Sequence, residues 1–213
     1  MAVRPVFASA KKRPGADIYM TDFEWNKGLA VSQKQKNITA LHAAFNQRFP
    51  RQRVLEISSK SLQPLGIQLS AFHLKKFVPE LGEEVPVECV FQGGKVFAAG
   101  GPYTDLYTAA SREAKGDPRL KKSGALRSFF FDGKDFPLNP PTAFYNWIYI
   151  SALREHPELA QQLLEYDAFT DIEFNPDRSR NCQAEAAALF VSLSRLGLLD
   201  GCDTFEKFVT LIK

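Results

Sequence analysis

Val85-Pro-Val-Glu-Cys-Val-Phe-Gln-Gly-Gly-Lys-Val-Phe97 is the stretch on which the reading of this chain turns. Its apolar positions predict a helix over 87–99. At about 100° per residue, Glu88, Gln92 and Lys95 fall within roughly 60° of one another on such a helix. Val87, Cys89, Val90, Phe91, Val96 and Phe97 cover almost all the remaining circumference. A surface helix carries a broad polar face opposite an apolar stripe. Here the proportions are reversed, so the helix is expected to be buried, with a narrow polar seam facing something polar. The plainer alternative is a Glu–Lys pair satisfying itself near the surface, with Gln92 a bystander. Two features weigh against it. Gly93-Gly94 inside a helix costs about 1 kcal/mol each against alanine, which a close backbone approach to a ligand would explain. Two full turns, about 10 Å of rise, also separate Glu88 from Lys95, which suits flanking a small reacting group better than direct pairing.

Outward from this segment, residues 16–25 alternate loosely and predict a strand. Ser32 precedes a helical pattern with Ile38, Leu41, Phe45 and Phe49 at three- and four-residue steps, stopped by Pro50. Short strands are expected over 54–58 and 68–74 around a turn at 64–66, and a helix over 104–115. Residues 129–136 predict a hairpin, because Asp132-Gly133 supplies the positive φ its turn needs. Helices follow over 142–155, 157–166, 181–196 and 204–212, with Pro157 at a helix start and Gly197 and Gly201 at helix ends. Between the second and third of these lies a polar and aromatic loop, 167–180, a common place for function. The fold class expected is α+β: a predominantly helical single domain over 1–213, with short strands and a hairpin.

The 213 residues suffice for one domain with a real core. Eighteen phenylalanines promise large aromatic walls, which also suit a pocket for a flat ligand. A net charge of +3 is only mildly basic; a dedicated DNA-binding module usually shows a denser stripe. The basic clusters Lys11-Lys12-Arg13, Lys34/Lys36, Lys75-Lys76, Arg119/Lys121/Lys122 and Arg178/Arg180 each read more readily as ordinary solvated surface. Cys89, Cys182 and Cys202 are odd in number and widely spaced, which argues against a disulfide framework or zinc site. His42, His73 and His156 share no metal-ligand spacing, so no metal or cofactor is expected. No signal-peptide h-region or long apolar run is found, and a cytoplasmic location without membrane association is expected.

The pattern Glu88-Cys-Val-Phe91-Gln92-Gly-Gly-Lys95 resembles the signature helix of the NADAR family. Ser58-Ser-Lys60 followed by Leu69-Ser70-Ala71-Phe72 is similar to the family's strand and Ser-Asn-Phe turn, and Ser111-Arg112-Glu113-Ala114-Lys115 to its Ala-Lys helix. Glu165 to Asn175, containing Asp171, stands where the family has Asp-x-x-Trp-Gly. Four motifs in the correct order are far more specific than any one. Arg4-Pro-Val-Phe7, residues 31–38 and Gly101-Pro-Tyr-Thr-Asp-Leu-Tyr107 further resemble the subgroup that serves as antitoxin to DarT-type DNA ADP-ribosyltransferase toxins. Ala71 replaces the usual Asn and Phe174-Asn175 replaces Trp-Gly, so ribose and base contacts carry over less directly than Glu88, Lys95 and Asp171.

The resemblance implies an N-glycosidase that removes ADP-ribose from guanine in DNA, with ADP-ribosylated DNA as substrate, ADP-ribose as product and the cognate toxin as a possible partner. Lys95 is the expected nucleophile, since burial favours a neutral amine, with Glu88 and Asp171 moving protons. A rival scheme has the two carboxylates acting directly and Lys95 only anchoring a phosphate or hydroxyl. Arg112 and Lys115, neighbours on a helix, are candidates for the pyrophosphate. Lys60, Ser70 and Gln92 are candidates for ribose hydroxyls, and Phe72 or Tyr103 for stacking on a base. The alternatives are an N-glycosidase on riboflavin-pathway intermediates, or a non-catalytic ADP-ribose-binding module. A purely structural role leaves the polar seam unexplained.

Overall fold

The chain opens in a strand that no local pattern marks. β1 (Ala2–Ser9) pairs antiparallel with β2 (Ala16–Phe23), Phe7 opposite Ile18 and Pro5 opposite Met20. α1 (Val31–Arg48) follows with Ile38, Leu41 and Phe45 buried, as their spacing predicts. β3 (Val54–Glu56) matches an expected strand. The next segment does not: α2 (Pro64–Gln68) replaces the turn at 64–66 and the start of the strand expected over 68–74. Pro64 occupies the first helical turn, where its missing N–H costs nothing.

This computed structural model describes residues 1–177 and 179–213, so Arg178 of the Arg178/Arg180 cluster lies outside the described residues. Its contacts divide the chain into two compact units, residues 1–70 with 157–213, and residues 71–156.

The second unit begins with the hairpin of β4 (Lys75–Val78) and β5 (Glu83–Pro86). All seven residues of α3 (Val87–Gly93) are buried, as expected for so apolar a helix. The helix is shorter than expected, however: it ends at Gly94, and Lys95 opens a strand, β6 (Lys95–Phe97). The helix expected over 104–115 also breaks, into a 3-10 turn at Thr104–Thr108 and α4 (Ser111–Gly116). α5 (Arg119–Lys122) leads to β7 (Leu126–Phe131) and β8 (Lys134–Phe136), the expected hairpin, with Asp132 and Gly133 at φ 50° and 69°. β6, β7 and β8 form one sheet. α6 (Ala143–Glu155) packs aromatics against α3 and β7: Phe144 stacks on Phe129 at 4.5 Å, and Phe91 meets Tyr145 edge-on at 5.0 Å.

The chain then returns to the first unit. α7 (Pro157–Leu163), α8 (Gln183–Arg195) and α9 (Phe205–Leu211) follow the expected helical run. The segment expected as a loop over 167–180 instead contains β9 (Ala168–Thr170), fully inaccessible, which completes a sheet ordered β2-β1-β9-β3. β9 runs antiparallel to β1 and parallel to β3. Val6, Ala8, Ile38, Leu41, Phe45, Val54, Ala168 and Ile172 share this unit's core. Four-, two- and three-stranded sheets among the described residues make the fold mixed α+β, so the expectation of a predominantly helical chain overstated the helix. Among the described residues no helix is long and apolar enough to cross a membrane.

Candidate active site

In the second unit the polar seam forms, but by a different route from the one expected. Glu88 sits in the first turn of α3, its backbone N–H donating to the Ala71 carbonyl at 2.8 Å. One turn later Gln92 lies against it, Nε2 donating to Glu88 Oε1 at 2.9 Å. Lys95 is no longer on the helix, yet the tight exit through Gly94 folds it back, and its amine donates to Gln92 Oε1 at 2.6 Å. Gln92 thus joins carboxylate to amine through one amide. Glu88 and Gln92 are 5% and 7% exposed, so the alternative of a solvated surface pair does not describe them.

The glycine pair is explained by the protein itself rather than by a ligand. A Cβ on Gly93 would lie 2.6 Å from the Tyr107 ring, and one on Gly94 2.5 Å from the Phe130 carbonyl oxygen. Phe130 N–H also donates to the Gly94 carbonyl at 2.6 Å, which welds the helix exit to β7. Close backbone approach is real, but the partner is a tyrosine ring and a strand.

Around the seam, the Lys95 amine lies 4.6 Å from the centre of the Phe91 ring. Lys115, on α4, comes to 3.8 Å from Glu88 Oε1 and lies over Phe72 at 5.2 Å. The Lys115 side chain is 60% exposed, so this ion pair is screened and contributes little to stability. Burial pulls the Lys95 amine down to about 8; the Glu88 carboxylate opposes this and the Lys115 ammonium adds to it. α4 is docked through Ser111, whose hydroxyl donates to the Phe72 carbonyl at 3.0 Å. Glu88, Gln92, Lys95, Lys115, Phe72 and Phe91 are therefore gathered in one place.

For two other candidates in this unit the contacts lie elsewhere than on Glu88, Gln92 or Lys95. Arg112 is exposed and makes no ion pair among the described residues. The Tyr103 hydroxyl bonds to Ser123 Oγ, and its ring carries the Arg119 guanidinium at 4.5 Å. Lys60, Ser70 and Asp171 belong to the first unit. Lys60 is half-buried with its N–H donating to Ser58 Oγ at 3.1 Å, and the Ser70 hydroxyl donates to the Ile67 carbonyl at 2.8 Å. Asp171 Oδ1 accepts from Glu173 N–H at 3.0 Å, and Oδ2 from Gln183 Nε2, also at 3.0 Å. An open groove of about 500 Å³ along α1, lined by Asn26, Gln35, Lys36 and Thr39 among others, contains none of the candidates.

The reading of the sequence missed a buried polar cluster in the first unit. Glu56 is 2% exposed and accepts from Ser58 Oγ at 2.6 Å, Thr170 Oγ1 at 2.5 Å and Ile172 N–H at 2.9 Å. His42 Nε2 lies 2.8 Å from Thr170 Oγ1. Burial raises the Glu56 carboxyl and lowers His42 to about 4. The available signal was an acid inside the apolar run Val54-Leu-Glu-Ile57. The three cysteines are buried, and among the described residues no group of His, Cys, Asp and Glu could hold a metal.

With this geometry in hand, a family model decides the relationship: that of the DarT1-associated NADAR antitoxin matches residues 2–213. The chain belongs to the NADAR family. No curated protein compared with it matches. The match spans both units of this NADAR antitoxin, so the seam and the Glu56 cluster both lie within the family's own chain length.

Proposed function

We propose that this NADAR antitoxin is a DNA ADP-ribosyl-guanine glycohydrolase that uses Lys95 as nucleophile. One observation carries the reading: a desolvated amine is linked through Gln92 to a buried carboxylate, at the exit of an otherwise apolar helix. An amine with a pKa of about 8 is about one-tenth neutral at pH 7, against about 0.03% at the ordinary lysine value. Burial thus raises the nucleophilic fraction roughly 300-fold.

The linkage to guanine ring-opens at the anomeric carbon to an iminium. The Lys95 amine adds to that carbon, the bond from carbon to the guanine nitrogen breaks, and that nitrogen leaves carrying the proton. Water then adds to the lysine iminium and the carbon–Nζ bond breaks, returning free ADP-ribose and the amine. Glu88, one amide away from Lys95, is the acid and base that moves these protons. Gln92 orients both. Lys115, exposed at the rim beside Glu88, is suited to a phosphate, with Arg112 one turn earlier on α4. Phe72, beneath the Lys115 ammonium, offers a flat face for a base. Asp171, Lys60 and Ser70 keep proposed roles on the resemblance alone.

An oligonucleotide carrying ADP-ribosyl-guanine tests the reading. Wild type should release ADP-ribose, and Lys95→Ala should lose release by at least about 10³-fold while melting cooperatively. Borohydride should trap ADP-ribose covalently on Lys95; active enzyme with no trapped adduct sinks the nucleophile and favours two carboxylates. Tight ADP-ribose binding without turnover identifies a binding module instead. Turnover only of a riboflavin-pathway pyrimidine intermediate moves the activity to that substrate.

A further inference from the structure

We propose that Arg119 and Tyr103 are positioning residues of this reaction, fastening over the exit of α3 the loop that sets the direction of the Lys95 amine. The inference rests on the glycohydrolase reading above, and every residue it uses lies in the second unit. Two segments hold the backbone around Lys95. From β7, Phe130 N–H takes the Gly94 carbonyl at 2.6 Å. From the loop after β6, Tyr103 N–H donates to the Gly93 carbonyl at 2.7 Å, and the Gly100 carbonyl accepts from Phe97 N–H at 2.7 Å. Gly101, at φ 88°, passes so close that a Cβ there would lie 2.2 Å from the Lys95 carbonyl oxygen. Residues 100–103 thus grip the chain before Lys95, at Lys95 and after it.

Arg119 supplies the fastening. Its guanidinium donates to Asp105 at 3.2 and 2.6 Å and to Asp117 at 3.0 and 2.9 Å, and lies over the Tyr103 ring at 4.5 Å. A planar fork that meets two carboxylates and a ring at once is a geometry lysine cannot copy. The Tyr103 hydroxyl bonds to Ser123 Oγ, and the Ser123 carbonyl accepts from Ala99 N–H at 3.0 Å, just past β6. Exposed ion pairs contribute little to stability, and the Arg119 and Asp105 side chains are 40% and 63% exposed. Global stability is therefore a weak reason for this network. The Lys95 amine, by contrast, is held by Gln92 on α3 while its backbone belongs to β6. Amine and seam stay aligned only while the turn between α3 and β6 keeps its shape. A displacement of about 1 Å there costs on the order of 10²-fold in rate.

The experiment compares wild type, Arg119→Ala, Tyr103→Phe and Lys121→Ala, the last an exposed neighbour on α5 that none of these contacts uses. The ADP-ribosyl-guanine oligonucleotide gives kcat and KM, and melting curves check folding. Labelling with acetic anhydride across pH, read by mass spectrometry, titrates the Lys95 amine without substrate. Arg119→Ala should lower kcat by about 30-fold and Tyr103→Phe by about 10-fold, with KM changed less than about threefold. In both, Lys95 labelling should reach half its maximum at a higher pH than in wild type, because a loosened exit admits water to the amine. Lys121→Ala should stay within about twofold of wild type in kcat; a loss equal to that of Arg119→Ala overturns the proposal. So does folded Arg119→Ala with unmoved labelling or with kcat within about twofold of wild type. A rise in KM alone overturns it too, and makes the pair a substrate contact. If Arg119→Ala does not fold, Tyr103→Phe decides by the same criteria. If wild type releases no ADP-ribose, the glycohydrolase reading fails and the labelling alone decides: a shifted titration sustains positioning and an unmoved one overturns it.

Discussion

Glu56 in the first unit and Glu88 in the second are both nearly inaccessible carboxylates, at 2% and 5% exposure, yet their surroundings differ in kind. Glu56 accepts from neutral donors only among the described residues: Ser58 just after its own strand, Thr170 on β9 and Ile172 N–H just beyond β9. Glu88 has one amide partner, a lysine ammonium at the limit of an ion pair, and a second lysine reached only through that amide. The first is a closed arrangement in which every hydrogen bond joins backbone segments. The second leaves lone pairs and a depressed amine in reserve. Order suits a scaffold, and incomplete satisfaction suits a group that must exchange protons.

That contrast can be broken most sharply by replacing each carboxylate with leucine. Glu56→Leu removes the buried acceptor of the Ser58 and Thr170 hydroxyls and the Ile172 N–H and should cost about 3 kcal/mol or more in denaturant unfolding. Glu88→Leu leaves only the Gln92 amide N–H without its acceptor and should cost less, about 1–2 kcal/mol, while abolishing ADP-ribose release. Equal losses of stability would erase the distinction.

A smaller effect sharpens the second region. The folded-state Lys95 value of about 8 lies below the ordinary 10.5, so between those values the unfolded chain binds the proton more readily. Stability should therefore rise with pH through that window, and the desolvation cost is fully present below it. Lys95→Met should raise the melting temperature by a few degrees at pH 7, with the gain shrinking towards pH 10.5. A gain independent of pH would deny that the amine is desolvated.

The smallest expected effect probes the first region. His42 is held near 4 against an ordinary 6.5, so stability should fall as pH drops from 6.5 towards 4, because the unfolded chain takes up the proton first. Glu56, shifted upward, acts with the opposite sign. In His42→Gln the loss over that interval should be visibly reduced in pH-dependent melting, and an unchanged slope would show that His42 is not held neutral.

Much of this architecture could be read locally. The steps of Ile38, Leu41 and Phe45 mark the buried face of α1, and Asp132-Gly133 marks the turn between β7 and β8. The lack of a polar face on residues 87–93 is enough to bury α3. β9 could not be found that way: three residues show no periodicity, and their strand character comes from pairing with β1 and β3, more than 100 positions earlier. The same holds for the end of α3. Local pattern continues the helix through Lys95, but β7, supplied from later in the chain, takes the Gly94 carbonyl with Phe130 N–H and pairs Phe129 with Lys95, which makes Lys95 a strand residue.

From the sequence alone came the residue types of the seam, the burial of its helix and the family motifs, because these depend on side-chain chemistry at short range. Only the tertiary structure decided that Gln92 would bridge Glu88 and Lys95, and that Glu56 would gather Ser58, Thr170 and Ile172. A buried carboxylate takes whichever donors the folded backbone delivers to it. Where those donors lie about 115 residues away, no local pattern encodes the meeting.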